Sequence, residues 1–208
     1  MNIEIIDNFL DENHFKKLND LFFKEIDKNQ VKIYHNEIKN DKIIVNNGIS
    51  EELLIELNHK YHKKALNILE KLCPEKLSLY EYSDFTLINT GSHYKFPVHD
   101  DTPNKLLSGV IYLNPKKNNG TFFYENKKTK PNKIIEWKQN RAVFFSREEK
   151  KTWHSYEGDM NSNRLALVYN LMTKNIKEVC KIEKKNYFSS MFRYKVNPYL
   201  YRFLKFTI

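Results

Sequence analysis

Tyr94-Lys95-Phe96-Pro97-Val98-His99-Asp100-Asp101 is the stretch on which the reading of this chain turns. On extended backbone, residues i and i+2 share a face, so His99 and Asp101 converge on one point while Asp100 turns away. An imidazole and a carboxylate placed in this way are two thirds of the facial set that holds Fe(II) with positions open for substrate and oxygen. The third member has to be a distant His brought in by the fold. His154 stands in a second strand-like run, Lys151-Thr152-Trp153-His154-Ser155-Tyr156. Shortly after it, Arg164 opens the apolar run Arg164-Leu165-Ala166-Leu167-Val168-Tyr169. A charge at the head of a buried strand calls for a carboxylate partner.

The surroundings of that stretch are strand-rich. Leu77 to Thr90, Lys95 to His99, Ser108 to Leu113, Thr121 to Tyr124, Lys133 to Trp137, Ala142 to Phe145, Thr152 to Tyr156 and Leu165 to Leu171 are rich in aromatic and β-branched residues. Asn, Pro, Gly and Lys clusters separate them. Short strands at this spacing predict a jelly roll or sandwich. Ahead of them, Ile3 to Phe9 reads as a strand. Asp11 reads as the N-cap of a helix from Glu12 to about Lys28, with Phe15, Leu18, Phe22 and Ile26 on its buried face. Residues 31–49 are polar with two β-like pieces. Ser50 caps a second helix whose stripe is Leu54, Leu57, Tyr61, Ala65, Ile68 and Leu72, and Cys73-Pro74 stops it. The expected organisation is a single domain, 1–208. It has a helical support (1–74) packed on one sheet, a β core (75–172) and an aromatic, basic C-terminal extension (173–208).

Composition narrows the function. The 208 residues carry a formal charge of +9, spread as single and paired lysines. That pattern reads first as a solvated surface and second as an attractor for an anionic partner. The five glycines form neither GxGxxG nor GxxxxGK, which excludes phosphate-cradling loops. Cys73 and Cys180 allow one bridge at most and suit a reducing compartment. Neither a signal peptide nor a run long enough to span a bilayer is recognisable, so a soluble, cytoplasmic protein with no membrane partner is expected.

His99-x-Asp101, His154 and Arg164, in that order and in that strand context, resemble the 2-oxoglutarate/Fe(II) dioxygenases, and the prolyl 4-hydroxylase-like branch in particular. Ile5-Ile6-Asp7-Asn8-Phe9-Leu10-Asp11-Glu12 is similar to that branch's opening. Ile111-Tyr112-Leu113-Asn114 with Gly120-Thr121-Phe122-Phe123, and Ala142-Val143-Phe144-Phe145 before Thr152-Trp153-His154, resemble its later strands. The likeness covers roughly residues 3–172. It implies a double-stranded β-helix, iron held by His99, Asp101 and His154, and the 2-oxoglutarate C5 carboxylate paired with Arg164. A guanidinium grips a carboxylate bidentately in a dry pocket. The implied reaction hydroxylates an unactivated C–H bond of a prolyl or other residue in a peptide, or of a free amino acid. It consumes O2, releases succinate and CO2, and takes ascorbate as reductant. Asp101, where halogenases of this type have Gly or Ala, favours hydroxylation.

The chain departs from the family in two places. A Ser two residues after the Arg is here Ala166, and a Tyr nine or ten residues before the first His is here Asn89 or Thr90. Tyr94 or Asn89 is the substitute expected at the cosubstrate. Ile111 is expected to face the pocket and Tyr112 to face away. Specificity is expected in loops 31–49, 102–107 and 126–131.

Blander readings stand beside these. A lone His-x-Asp before Thr102-Pro103 is common in solvated turns, and Arg164 alone reads as a strand-edge residue. His59 and His62 share a helix face with no third ligand, and His14, His35 and His93 read as surface residues. Oxidative nucleobase demethylation is the enzymatic alternative. Against it, that branch carries a second Arg six residues after the first, where this chain has Asn170. The third possibility is a jelly-roll binding module without iron. The tail's aromatics are expected to pack on the barrel, with single-stranded nucleic acid as the alternative they would stack on.

Overall fold

The computed structural model describes residues 2–21 and 26–204. Its first elements are β1 (Ile3–Ile6), α1 (Glu12–Asn19), β2 (Val31–Tyr34), β3 (Glu37–Lys39), β4 (Lys42–Val45) and α2 (Glu51–Leu72). A 3-10 turn at Pro74–Leu79 leads into β5 (Tyr82–Thr90), β6 (Lys95–His99), β7 (Lys105–Asn114), β8 (Thr121–Tyr124), β9 (Lys133–Ile135), β10 (Ala142–Ser146), β11 (Trp153–Glu157) and β12 (Arg164–Met172). Two helices close the chain, α3 (Ile176–Ile182) and α4 (Tyr187–Leu204).

The strands form two antiparallel sheets, in the order β1-β10-β7-β12-β5-β3-β4 with β2 also on β5, and β6-β11-β8-β9. Alternation assigns the faces. On β12, Leu165, Leu167, Tyr169 and Leu171 join the core under the helices, whereas Arg164, Ala166, Val168 and Asn170 face a cavity between the sheets. Leu54, Leu57, Ala65 and Leu69 of α2 close the first core. Ser50 Oγ accepts from Leu53 N at 3.2 Å to cap that helix, as its sequence predicts. A second, smaller core of Tyr112, Phe123, Ile135, Trp137, Val143 and Phe145 fills one end of the space between the sheets. On β7 no residue but Gly fits at position 109. A Cβ there would lie 2.2 Å from Phe144 Cε1 and 2.8 Å from the Tyr169 carbonyl oxygen.

Several expectations change. Helix α1 ends at Asn19, not near Lys28, because Asn19-Asp20 are weak helix formers and the Asp20 N–H closes the last turn on the Lys16 carbonyl. Phe22 lies outside the described residues. His14 is buried, not a surface residue, with Nδ1 3.0 Å from the Asp11 carboxylate and 3.1 Å from the Tyr61 hydroxyl. Residues 77–79 belong to the 3-10 turn, since Pro74 starts a tight turn, not a strand. The N-terminal support also contributes four strands to the larger sheet. The tail is helical, but Phe188, Phe192, Tyr199 and Phe203 are exposed. Charge anchors it instead. Arg193 of α4 pairs with Asp100 at 3.0 Å and Glu149 at 2.8 Å, and Ser190 donates to Glu149. Both cysteines are free. No helix among the described residues is long and apolar enough to cross a membrane.

Candidate active site

Strand pairing explains how two distant histidines meet. β6 and β11 are neighbours, and His99 stands directly opposite His154 in their register. The imidazole centroids are 4.2 Å apart. Asp101 follows β6 on the same face. Nitrogen atoms of His99 and His154 and an Asp101 carboxylate oxygen all lie within 4.8 Å of one another. His99 Nδ1 donates to the Pro97 carbonyl at 3.0 Å and His154 Nδ1 to the Thr152 carbonyl at 2.9 Å. Each ring is thus held in the tautomer that leaves Nε2 as a bare lone pair, with Nδ1–H on a backbone carbonyl as in a metal-bound His. Burial, and then the neighbouring His154, push the His99 pKa down to about 3, so it is neutral and ready to ligate at pH 7.

Asp101 is buried and held from two sides. Lys105 Nζ donates to Oδ1 and Ser108 Oγ to Oδ2, each at 2.6 Å. Burial raises its pKa, but Lys105 and the two imidazoles outweigh that and hold it well below the ordinary carboxylate range. The Asp101 carbonyl accepts from Arg147 Nε at 3.0 Å. Asp100 points away as expected, to Arg193 and the Lys150 N–H. Two histidines and one carboxylate, preset in orientation by their hydrogen bonds, fit a ferrous ion with open positions.

Arg164 lies on the opposite sheet, facing the same cavity of about 240 Å³. It is 3% exposed, its Nε donates no hydrogen bond, and it pairs with no carboxylate among the described residues. Its partners are aromatic faces, with Tyr156 at 4.3 Å, Trp137 at 5.0 Å and Tyr112 at 5.7 Å from the guanidinium carbon. Trp137 is fixed by Nε1 donating to the Pro115 carbonyl and stacks on Tyr112. A buried cation with an unused donor and no counter-charge fits the far carboxylate of a small dicarboxylic acid.

Other sequence expectations fare differently. Asn89 falls on the helix-side face of β5, because Ile88 and Thr90 on either side of it line the cavity. Thr90, opposite Arg164 in register, lines the cavity with it. Tyr94 is absent from the cavity wall, and its ring lies 6.4 Å from those of Phe96 and Tyr156. Ile111 and Tyr112 exchange their expected faces. Ile111 is in the helix-side core, and Tyr112 lies between the sheets with its hydroxyl 2.7 Å from Thr121 Oγ1. Val110 on the cavity wall, two residues away, is the signal for that orientation. His35, read as a surface residue, is exposed yet lines the cavity mouth with Ile33. Lys105 and Ser108 carry no local sequence signal for their roles; Tyr156 carries one, at i+2 from His154, and both line the cavity. A larger cleft of about 540 Å³ near Lys76, Arg147 and Glu183 lies away from the triad, and those charges already pair with one another.

No protein-family model matches this chain, and no curated protein matches it. Solved structures do. A Pseudomonas putida prolyl-4-hydroxylase matches with a TM-score of 0.55 at 11% identity, over 83% of this chain and 93% of that one. A 2OG-Fe(II) oxygenase family oxidoreductase from Burkholderia pseudomallei gives 0.57 at 13%, over 82% and 84%. A Trichoplax adhaerens prolyl hydroxylase, solved with a hypoxia inducible factor oxygen degradation domain peptide, gives 0.52 at 15%, over 85% and 86%. What is shared at such identities is the fold, the double-stranded β-helix of the 2OG-Fe(II) oxygenases.

Proposed function

We propose that this protein is an Fe(II)- and 2-oxoglutarate-dependent oxygenase that hydroxylates an unactivated C–H bond of an amino acid, free or within a peptide. The observation that carries this reading is the convergence of His99, Asp101 and His154 on a cavity whose other wall holds the carboxylate-free Arg164. When bound, iron and 2-oxoglutarate supply the activation of O2 that oxidises the substrate, with succinate and CO2 as co-products. The chain's own part is position and exclusion of water. Nε2 of both histidines and one carboxylate oxygen of Asp101 would hold the ion. Ser108 and Lys105 fix the plane of that carboxylate. Arg164, locked by its aromatic cage, would hold the C5 carboxylate and so orient the keto acid toward the triad. Phe145, Val110 and Phe96 line the cavity and keep it apolar between its two charged ends.

The test is the visible spectrum of the protein with Fe(II) and 2-oxoglutarate under nitrogen. Chelation of the ion by the keto acid gives a weak charge-transfer band without any primary substrate. The expected result is a band that disappears in His99→Ala and weakens in Arg164→Ala. A folded, iron-loaded protein with no band would overturn the reading.

A further inference from the structure

The cavity wall away from Arg164 carries a buried carboxylate and, beside it, an amide oxygen that accepts no hydrogen bond among the described residues. Along β12, Arg164 and Asn170 mark the two ends of the lining, about 20 Å apart for six residues of extended chain. At the far end, Asn170 is flanked in register by Asp84 on β5 and Ser108 on β7. Ser108 donates to Asp101, so this rung begins at the triad. Asn170 Nδ2 donates to Asp84 Oδ2 at 2.8 Å, and Thr86 Oγ1 donates to Oδ1 at 2.5 Å. A carboxylate only accepts, which fixes the orientation of the Asn170 amide. Its Oδ1 then has no partner among the described residues, although the residue is 1% exposed.

Asp84 is 7% exposed and makes no ion pair among the described residues. The cation on the same wall, Lys105, is engaged by Asp101. A buried carboxylate held by two neutral donors, beside an unsatisfied amide oxygen, is destabilised by desolvation until a cation arrives.

We propose that Asp84 and Asn170 form a subsite for an alkylammonium group of the primary substrate. The inference rests on the oxygenase reading and selects within it. A prolyl residue inside a peptide offers this subsite neither a donor nor a charge, whereas an ammonium brings three N–H donors to a carboxylate and an amide oxygen. Two inter-strand spacings, about 10 Å, separate the Asp84 and Ser108 backbones. The ammonium therefore binds a few bonds from the carbon presented to the triad. The cavity is small beside the ~300–1,000 Å³ of drug-sized sites. Once the cosubstrate is in place, it admits a free amino acid or one lysyl side chain.

The test is calorimetric titration of the anaerobic Fe(II)·2-oxoglutarate protein with three probes. L-norleucine carries its ammonium on the α-carbon, Nα-acetyl-L-lysine methylamide carries it at the side-chain end, and Nα-acetyl-L-norleucine methylamide carries none. Saturable binding of either ammonium probe, at least tenfold tighter than the neutral one, is expected, and which one binds identifies a free amino acid or a lysyl residue. Asp84→Asn should weaken that binding about ten- to a hundredfold and leave the charge-transfer band intact. Binding of no ammonium probe in preference to the neutral one overturns the proposal, as does undiminished binding by a folded Asp84→Asn protein. The wild-type comparison decides even if the variant does not fold. A missing band, by contrast, is a failure of the oxygenase reading and not of the subsite.

Discussion

Replacing Arg164 by Met should strengthen the ligand-free protein and at the same time remove its hold on 2-oxoglutarate. Arg164 is buried, among the described residues its Nε has no acceptor and no carboxylate pairs with it, and burial pulls its pKa below the ordinary value. A buried cation without a counter-ion carries a penalty of several kcal/mol, of which each aromatic face returns only about 0.5–2 kcal/mol. Met keeps the apolar contact with Tyr112, Trp137 and Tyr156 and carries no charge. The metal-free, cosubstrate-free variant should therefore gain about 1–3 kcal/mol, which at ~2–4 °C per kcal/mol for a chain of this size is a rise of about 2–12 °C in Tm. Cosubstrate affinity moves the other way. Removing one member of a desolvated charge pair costs about 2–5 kcal/mol, roughly 30- to 5,000-fold in Kd. Differential scanning calorimetry with Mn(II) reads both effects. At 100 times Kd, 2-oxoglutarate should stabilise the wild type by about 2.7 kcal/mol and Arg164→Met by at most about 0.9 kcal/mol at the same concentration. A variant that melts below the wild type without ligand, yet keeps the full 2-oxoglutarate shift, would refute the reasoning and make Arg164 a structural residue.

Three further expectations concern the supports of the triad. Ser108→Ala removes a 2.6 Å donor from Asp101 and should weaken Mn(II) binding about 10- to 100-fold with the fold intact; an unchanged isotherm would mean Lys105 alone orients the carboxylate. Arg193→Ala removes the ion pairs from α4 to Asp100 and Glu149 and leaves the Ser190 hydrogen bond to Glu149. It should destabilise by about 3 kcal/mol and speed amide exchange in residues 100–104, whereas exchange confined to α4 would show that the tail does not hold the loop. Burial raises the Glu149 carboxyl, but Ser190, Arg193 and Arg147 outweigh it and hold it below its ordinary range. Its contribution is then complete above the unfolded-state pKa of about 4.3 and lost as pH falls through the lower folded value. Urea midpoints measured from pH 5 downward should fall less steeply in Arg193→Ala than in the wild type, and equal slopes would contradict the pairing.

What sequence alone determined was local. The i, i+2 relation of His99 and Asp101, the period of two along Arg164–Met172 and the Ser50 cap of α2 are properties of neighbouring residues, and the chain chemistry fixes them before any folding. Hence the jelly roll and the identities of the ligand-type residues were legible. Tertiary structure decided which face of each strand looks inward and which strands are neighbours. Alternation says that Ile111 and Tyr112 differ in face, but only pairing with β10 and β12 under the α2 layer sends Ile111 to the helices and Tyr112 to Arg164. The same limit hides from the sequence that Asn89 falls on the helix-side face of β5. The aromatic cage draws Tyr112, Trp137 and Tyr156 from three separate parts of the chain, and the Asp84–Asn170–Ser108 rung exists only through the register of three strands. Contacts of that kind are set by long-range hydrogen-bond register, and a shift of one residue would turn every side chain of a strand to the other face with no change in the local sequence.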